Sequence, residues 1–256
     1  MPAVQHLLVR YAKRGKMRFA SHRDVARAFE RGVRKAGLPI AYSAGFTPHP
    51  KISYPGGAPT GVASEAEYLS LALTERQAET QVCQRLDAAL PDGIDVIDVT
   101  EDAGGAGKPS GSASSSPVSA SRVSSSGFAH LEASEWRMVL PGVAPEEARR
   151  AVSGFLARAE APVERLTDKG VRRLDARTAV LEMTVLETTE LGFEGCAILR
   201  MIVLHTAPAV RPEDIVTALR AQDGIVPSSP PMITRLAQGQ RAQLTGQALL
   251  AGDGVS

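Results

Sequence analysis

The stretch SHRDVARAFERGVRKAG, Ser21–Gly37, decides how the chain begins to fold. Ser21 is a good helix N-cap, and Asp24 three residues on can return the hydrogen bond as a capping box. Gly37 supplies the stop, with Pro39 just beyond it. Between them Val25, Phe29, Val33 and Ala36 recur at helical spacing, while Arg23, Arg27, Arg31, Arg34 and Lys35 occupy the other face. A helix with one apolar stripe needs a partner surface, and the flanking residues provide strands. His6–Tyr11 precedes it, AKRGK turns at Gly15, and Met17–Ala20 extends again. Pro39–Ser43 can form a short strand, and Tyr68–Leu73 alternates as another. Glu75–Leu90 is amphipathic through Val82, Leu86 and Leu90, and Ile94–Val99 closes as a strand. The order is β-α-β-β-α-β.

The second half repeats that order. Trp136–Leu140 reads as a strand and Pro145–Glu160 as a helix through Ala148, Val152, Phe155 and Leu156. Val163–Leu166 is a short strand. Val171–Glu187 and Cys196–His205 read as long strands around a turn at Leu191–Gly195. Pro212–Ala221 is a helix and Met232–Leu236 a last strand. Between the halves, residues 103–127 hold ten Ser and five Gly with no apolar periodicity, so they are expected to be a disordered linker. The expected fold is α+β, with two tandem ferredoxin-like (β-α-β-β-α-β) domains. The first takes 1–102 and the second 128–237, followed by a weakly ordered tail at 238–256.

In 256 residues, 43% are apolar and 22% charged, a globular balance that argues against wholesale disorder. No run of about 18 apolar residues occurs, so a membrane span is not expected. The opening MPAVQHLLVRYAKRGK has too short an apolar core for a signal peptide. Two distant cysteines, Cys83 and Cys196, exclude a disulfide framework and make the cytoplasm the expected location. The five histidines lack ligand spacing, so no metal is expected. No phosphate-binding G-x-x-x-x-G-K-S/T or G-x-G-x-x-G loop is present. The formal charge of +1 conceals a division. Residues 1–55 carry eleven Lys/Arg against two acids, and residues 56–103 carry ten acids against two Arg. Either the two segments neutralise each other, or one face is left attractive to polyanions.

Three ordered motifs stand in the first half: RF-x-SH-x-D at Arg18–Asp24, LP-x-AYS-x-GF-x-PHP-x-IS at Leu38–Ser53, and SE-x-EY at Ser64–Tyr68. With weaker matches at Lys169–Arg177 (KGVRRLDAR) and Arg211–Leu219 (RPEDIVTAL), the chain resembles the radical-SAM-linked protein family. This is a domain of unknown function encoded beside, or fused to, a B12-binding-type radical SAM protein. The long Ser/Gly segment is a departure from that family's core. The resemblance implies an accessory to radical SAM chemistry without naming a reaction. This chain has two cysteines where a radical SAM cluster needs three close ones. The iron–sulfur cluster, the S-adenosylmethionine and any cobalamin would therefore belong to the partner.

The candidate residues fall into groups, each with a plainer alternative. The arginine stripe Arg23, Arg27, Arg31 and Arg34, extended by Lys13, Arg14 and Lys16, suits a phosphate backbone. Alternatively it is a solvated face pairing with the acidic segment. The loop Ser43–Ser64 exceeds the usual connection length and carries Phe46, His49, Lys51 and Tyr54 among Gly and Pro. It fits an anion or partner peptide, or it simply covers the sheet. Arg18, His22 and Arg23 surround a helix N-terminus, which favours anions. His22 could act as a general acid or base if His49 or Tyr42 lies near, or be satisfied by Asp24 or water. Glu65 and Glu67, two apart on a strand, could hold a cation but better fit pairing with arginine. Arg177 belongs to a charged block that reads as an edge strand or a site wall.

Three functions follow. The first and preferred is a non-catalytic accessory that binds a separate radical SAM protein, with RNA on its basic face as a further candidate partner. The second is an RNA-processing or RNA-modifying enzyme using His22, His49 and Tyr42. The third is a protein-interaction scaffold without nucleic acid.

Overall fold

The computed structural model describes residues 2–102, 128–168, 170–186 and 195–250, with side chains as far as Thr245. The expected Ser/Gly linker, Lys169 and most of the turn before Gly195 lie outside the described residues. The fold is mixed α+β with mostly antiparallel pairing. The chain divides into two compact units, Met1–Thr60 with Ala66–His130, and Gly61–Glu65 with Leu131–Ser256.

The first unit runs β1 (Gln5–Lys13), α1 (His22–Lys35), β2 (Ile52–Ser53), β3 (Ala63–Leu73), α2 (Glu79–Asp87) and β4 (Ile94–Glu101). The strands lie in the order β4-β1-β3, with β2 on β3. Leu7, Val9 and Tyr11 alternate onto one face of β1. There they meet Val25, Phe29 and Val33 of α1, Val82 and Leu86 of α2, and Leu69, Leu71 and Leu73 of β3. Tyr11 sets its ring edge-on to Phe29 at 4.7 Å between centroids. The capping box forms as its sequence suggests: Ser21 Oγ accepts from the Asp24 amide and the Asp24 carboxylate accepts from the Ser21 amide, each at 3.2 Å. At the other end of α1, Arg85 Nη2 donates to the Ala36 and Gly37 carbonyls, satisfying acceptors the helix leaves open.

Several first-unit boundaries differ from the reading of the sequence. Gly15–Phe19 is a 3-10 turn rather than an extended segment, closed by Met17 N to Arg14 O and Ala20 N to Met17 O. Pro39–Ser43 contributes isolated bridges, Ile40 to Leu73 and Tyr42 to Pro50, and the strand beside β3 is Ile52–Ser53. Between them Ser43–His49 forms an exposed tip, held by the Ser43 amide on the His49 carbonyl at 2.9 Å and the His49 amide on Ser43 Oγ at 3.0 Å. β3 begins five residues earlier than its alternation suggests, because its opening residues pair elsewhere. Ala63 and Ser64 lie parallel to Thr234 and Arg235 and are counted with the second unit.

The second unit runs β5 (Ala133–Pro141), α3 (Pro145–Ala157), β6 (Pro162–Thr167), β7 (Gly170–Asp175), α4 (Ala176–Ala179), β8 (Val180–Leu186), β9 (Cys196–Leu204), α5 (Pro212–Asp223), β10 (Met232–Gly239) and α6 (Arg241–Leu250). The strand order is β10-β5-β9-β8, antiparallel throughout, and β6 and β7 form a separate hairpin. Phe155, Met138, Leu140, Ile198, Leu199 and Leu219 are fully buried or nearly so. The long strand expected over Val171–Glu187 is broken at Asp175. Its carboxylate accepts from the Ala161 and Arg177 amides, and the buried Ala176 and Ala179 turn the chain through α4. Of the stretch expected to be a weakly ordered tail, 238–256, the described residues carry the end of β10 and α6, whose Leu244 packs with Ala133 and Ile202, and 251–256 lie outside the described residues. Cys83 and Cys196 are free thiols, and burial pushes that of Cys83 up.

Candidate functional site

The arginine stripe of α1 sits as the spacing predicts. Arg23, Arg27, Arg31, Arg34 and Lys35 are exposed, opposite the buried Val25, Phe29 and Val33. Among the described residues none of these arginines makes an ion pair with the acidic segment, and Arg34 only bonds the Glu30 carbonyl. The segments do meet elsewhere, through Arg14 with Asp95 at 2.8 Å and Arg76 with Glu101 at 3.0 Å. The stripe is therefore not neutralised, and Arg27 and Arg31 help hold the Asp24 carboxyl below its usual range, after the dominant hydrogen bonds from Ser21. Lys13 and Arg14 do not extend it. Arg14 is engaged by Asp95, and Lys13 is turned inward at the end of β1.

Aromatic side chains accompany these cations. Phe19, 63% exposed, ends the 3-10 turn before α1 and lies under the Arg18 guanidinium at 4.9 Å. Phe46 at the tip of the Ser43–His49 loop is fully exposed, and Tyr42 at its base is exposed too. His49 and Lys51 are also exposed on this segment. Rings and cations presented together can stack bases and hold phosphates.

The first and third motifs, through His22 and Glu67, meet at a second place, at the inner end of the same loop. Glu67 and Lys13 are 1% and 3% exposed, on neighbouring strands. Glu67 Oε2 accepts from the Ala58 amide at 2.9 Å, while Lys13 Nζ donates to the Ala58 and Pro59 carbonyls at 3.1 and 3.3 Å. A buried acid and a buried cation thus grip the same turn from both sides. Gly57 leaves little spare room there. A Cβ on it would stand 3.3 Å from His22 Nδ1 and 3.5 Å from Glu67 Oε2. Tyr54 meets the His22 ring edge-on at 5.3 Å. Its hydroxyl is buried without a hydrogen-bond partner, and burial, aided by Glu30, drives its pKa far up. A phenol so held keeps its proton and is a poor base.

The structure thus brings His22 to Tyr54 and Gly57, but not to His49 or Tyr42, with which it makes no contact among the described residues. His49 is held by its backbone at the tip, away from any acid–base partner. Glu67 accepts from the Ala58 amide, and none of Arg23, Arg27, Arg31 and Arg34 pairs with it. Arg177 lies in the second unit, where its guanidinium bonds the Leu156 carbonyl at 3.3 Å and the Val180 carbonyl at 2.9 Å. These bonds brace α4. The charged stretch around it is the exposed hairpin strand β7, an edge as one of its two readings holds. Lys13 becomes legible as a buried cation, and Gly57 as a closely approached position, only once the turn over β3 is known.

Among the described residues no group of three His, Cys, Asp or Glu could hold a metal ion, and no helix is long and apolar enough to cross a membrane. Comparison with solved structures finds a crystal structure of a Cbf5–Nop10–Gar1 complex at a TM-score of 0.45 and 12% identity. That match covers 99% of this chain and 58% of the other, so the chain spans little more than half its length. The first two RRM domains of the yeast poly(U)-binding protein Pub1 match at a TM-score of 0.20 and 13% identity, over 90% of this chain and 98% of that one. Likenesses this slight carry no argument about function. No curated protein matches the chain. A family model does match, over residues 6–212, which include all three motifs, and the chain belongs to that family, described as an uncharacterized protein conserved in bacteria, DUF2344.

Proposed function

We propose that this chain is a non-catalytic accessory protein. It works beside a separate radical SAM enzyme and binds single-stranded RNA on the basic, aromatic-bearing surface of its first unit. In this reading both units are ferredoxin-like, the first with strand order β4-β1-β3-β2 and the second with β10-β5-β9-β8 around an inserted hairpin. The observation that carries RNA binding is the un-neutralised stripe of Arg23, Arg27 and Arg31 on α1, in a unit that also exposes the rings of Phe19, Tyr42 and Phe46. Guanidinium groups take the phosphates and the rings take the bases, a combination tolerant of sequence. The partnership with radical SAM chemistry rests on the motif resemblance and on a chain with only two cysteines. The cluster, S-adenosylmethionine and cobalamin are assigned to the partner, and the site of action to the cytoplasm.

Two experiments test it. Affinity for a single-stranded oligoribonucleotide should fall steeply with salt. Arg23→Ala/Arg27→Ala/Arg31→Ala should reduce the slope of log K against log salt by about 2, at roughly 0.7 for each phosphate that is no longer neutralised. An unchanged slope removes the RNA reading. A tagged pull-down with and without RNase should recover a radical SAM protein. Its absence from both removes the accessory reading.

A further inference from the structure

The face of the first unit's sheet opposite α1 and α2 carries a second site. Because Leu7, Val9 and Tyr11 point to the helices, Leu8 and Arg10 point away from them. Among the described residues of this unit no helix covers that face. It holds a cleft of about 410 Å³ with Leu8 and Ile97 beneath and Arg10, Tyr68, Asp98 and His130 around it. This volume is within the range that small-molecule sites occupy.

Two features of the cleft point to a ligand. Arg10 and Asp98 stand directly opposite in the β1–β4 register, yet no ion pair closes between them. Cross-strand neighbours of opposite charge would ordinarily do so. Arg10 bonds the Tyr68 side chain instead, and Asp98 acts on that phenol only through its charge. Burial raises that phenol's pKa, the Arg10 guanidinium opposes the rise and the Asp98 carboxylate adds to it. A donor fork and an acceptor pair are thus held apart and open. Beside them the Tyr68 and His130 rings stand 6.3 Å apart at 89°, so a flat ligand can lie on one face and meet the edge of the other.

One full cation and one full anion sum to zero, so the cleft favours no phosphate. It favours a neutral planar heterocycle with adjacent donors and acceptors. Guanine supplies both. Its N1–H and N2–H₂ match a carboxylate bidentately, and its O6 and N7 accept from a guanidinium. Adenine, cytosine and uracil each offer a carboxylate a single donor on one edge, so none of them can pair with Asp98 bidentately as guanine does. From this geometry we infer that the helix-free face of the first unit binds a guanine nucleobase, presented by a nucleoside or by an unpaired base in RNA. It stacks on the face of one of the Tyr68 and His130 rings and meets the edge of the other, Asp98 accepts from its Watson–Crick edge and Arg10 donates to its Hoogsteen edge.

The test is titration of the full chain with guanosine, adenosine, cytidine and uridine, followed by calorimetry or NMR shifts. Guanosine should bind saturably and at least tenfold more tightly than the others. Asp98→Asn, at an exposed position, should lose that preference. Tyr68→Phe should keep it and Tyr68→Ala weaken all binding tenfold. Arg27→Ala, on the α1 stripe, should leave guanosine binding unchanged, so the two sites fail independently. No saturable guanosine binding up to ~1 mM, the weak end of specific affinity, overturns the inference. So does an equal response to all four nucleosides, or an unaltered preference in a folded Asp98→Asn protein.

Discussion

Lys13 and Glu67 show how much a single buried charge can organise. Each is nearly inaccessible and each bonds Ala58, one at its carbonyl and the other at its amide. Removing either leaves a buried polar group uncompensated, at a cost of about 3 kcal/mol or more. Lys13→Met should therefore lower unfolding stability by roughly that amount and speed hydrogen exchange in Gly56–Thr60. The double variant Lys13→Met/Glu67→Leu should recover part of the stability, so that a double-mutant cycle shows coupling. If the two single effects simply add, the pair does not act together. His205 is a second residue whose partners fix its state. Its Nδ1 faces the Leu131 carbonyl at 2.8 Å and must donate, so Nε2 accepts from the buried Ser134 hydroxyl at 2.6 Å. Burial, and secondarily Arg235, lower its pKa below the ordinary 6.5, while the Leu131 carbonyl resists the change. The unfolded chain then takes up this proton first. Stability is complete above about 6.5 and falls as pH drops towards the lower folded value. Melting temperatures between pH 7.5 and 5.5 should show this decline, and His205→Gln should flatten it.

At the scale of elements, legibility follows locality. The α1 helix is readable from its own residues: cap at Ser21, stop at Gly37, stripe at Val25, Phe29 and Val33. Phe29→Ala should cost about 3–5 kcal/mol in chemical denaturation, whereas Arg27→Ala, on the solvent face, should change stability by less than about 0.5 kcal/mol. The elements that differ from their sequence pattern are those fixed from a distance. Gly15–Phe19 closes as a 3-10 turn while Gly93 O receives the Arg14 amide from across the fold. β3 starts at Ala63 because β10, some 170 residues later, pairs with it. Asp175 breaks a convincing strand by accepting from Ala161 and Arg177. The same division runs through the candidate site. Basic spacing on a helix is visible in sequence, but that Lys13 faces inward while Arg23 faces water depends on where the Gly57–Pro59 turn lies.

For the whole molecule, a formal charge of +1 is a poor guide to what it attracts. The cations of α1 remain open while several acids of β4 are matched locally, Asp95 by Arg14 and Glu101 by Arg76. The chain should therefore be retained on a heparin column well beyond what its net charge suggests. Reversing Arg27 and Arg31 to Glu should bring elution to markedly lower salt. Elution of both proteins at the same salt would show that the stripe is not an independent electrostatic surface. The two units also differ in what lies behind their sheets. In the second, α6 seals Ala133 and Ile202 under Leu244. In the first, Leu8, Arg10, Tyr68 and Asp98 stay open. That asymmetry separates two kinds of evolutionary constraint. Substitutions at Ala133, Ile202 and Leu244 are selected against by folding alone. Leu8, Arg10, Tyr68 and Asp98 are free to drift unless a ligand holds them, so their rate of divergence among relatives records the demands of function rather than of stability.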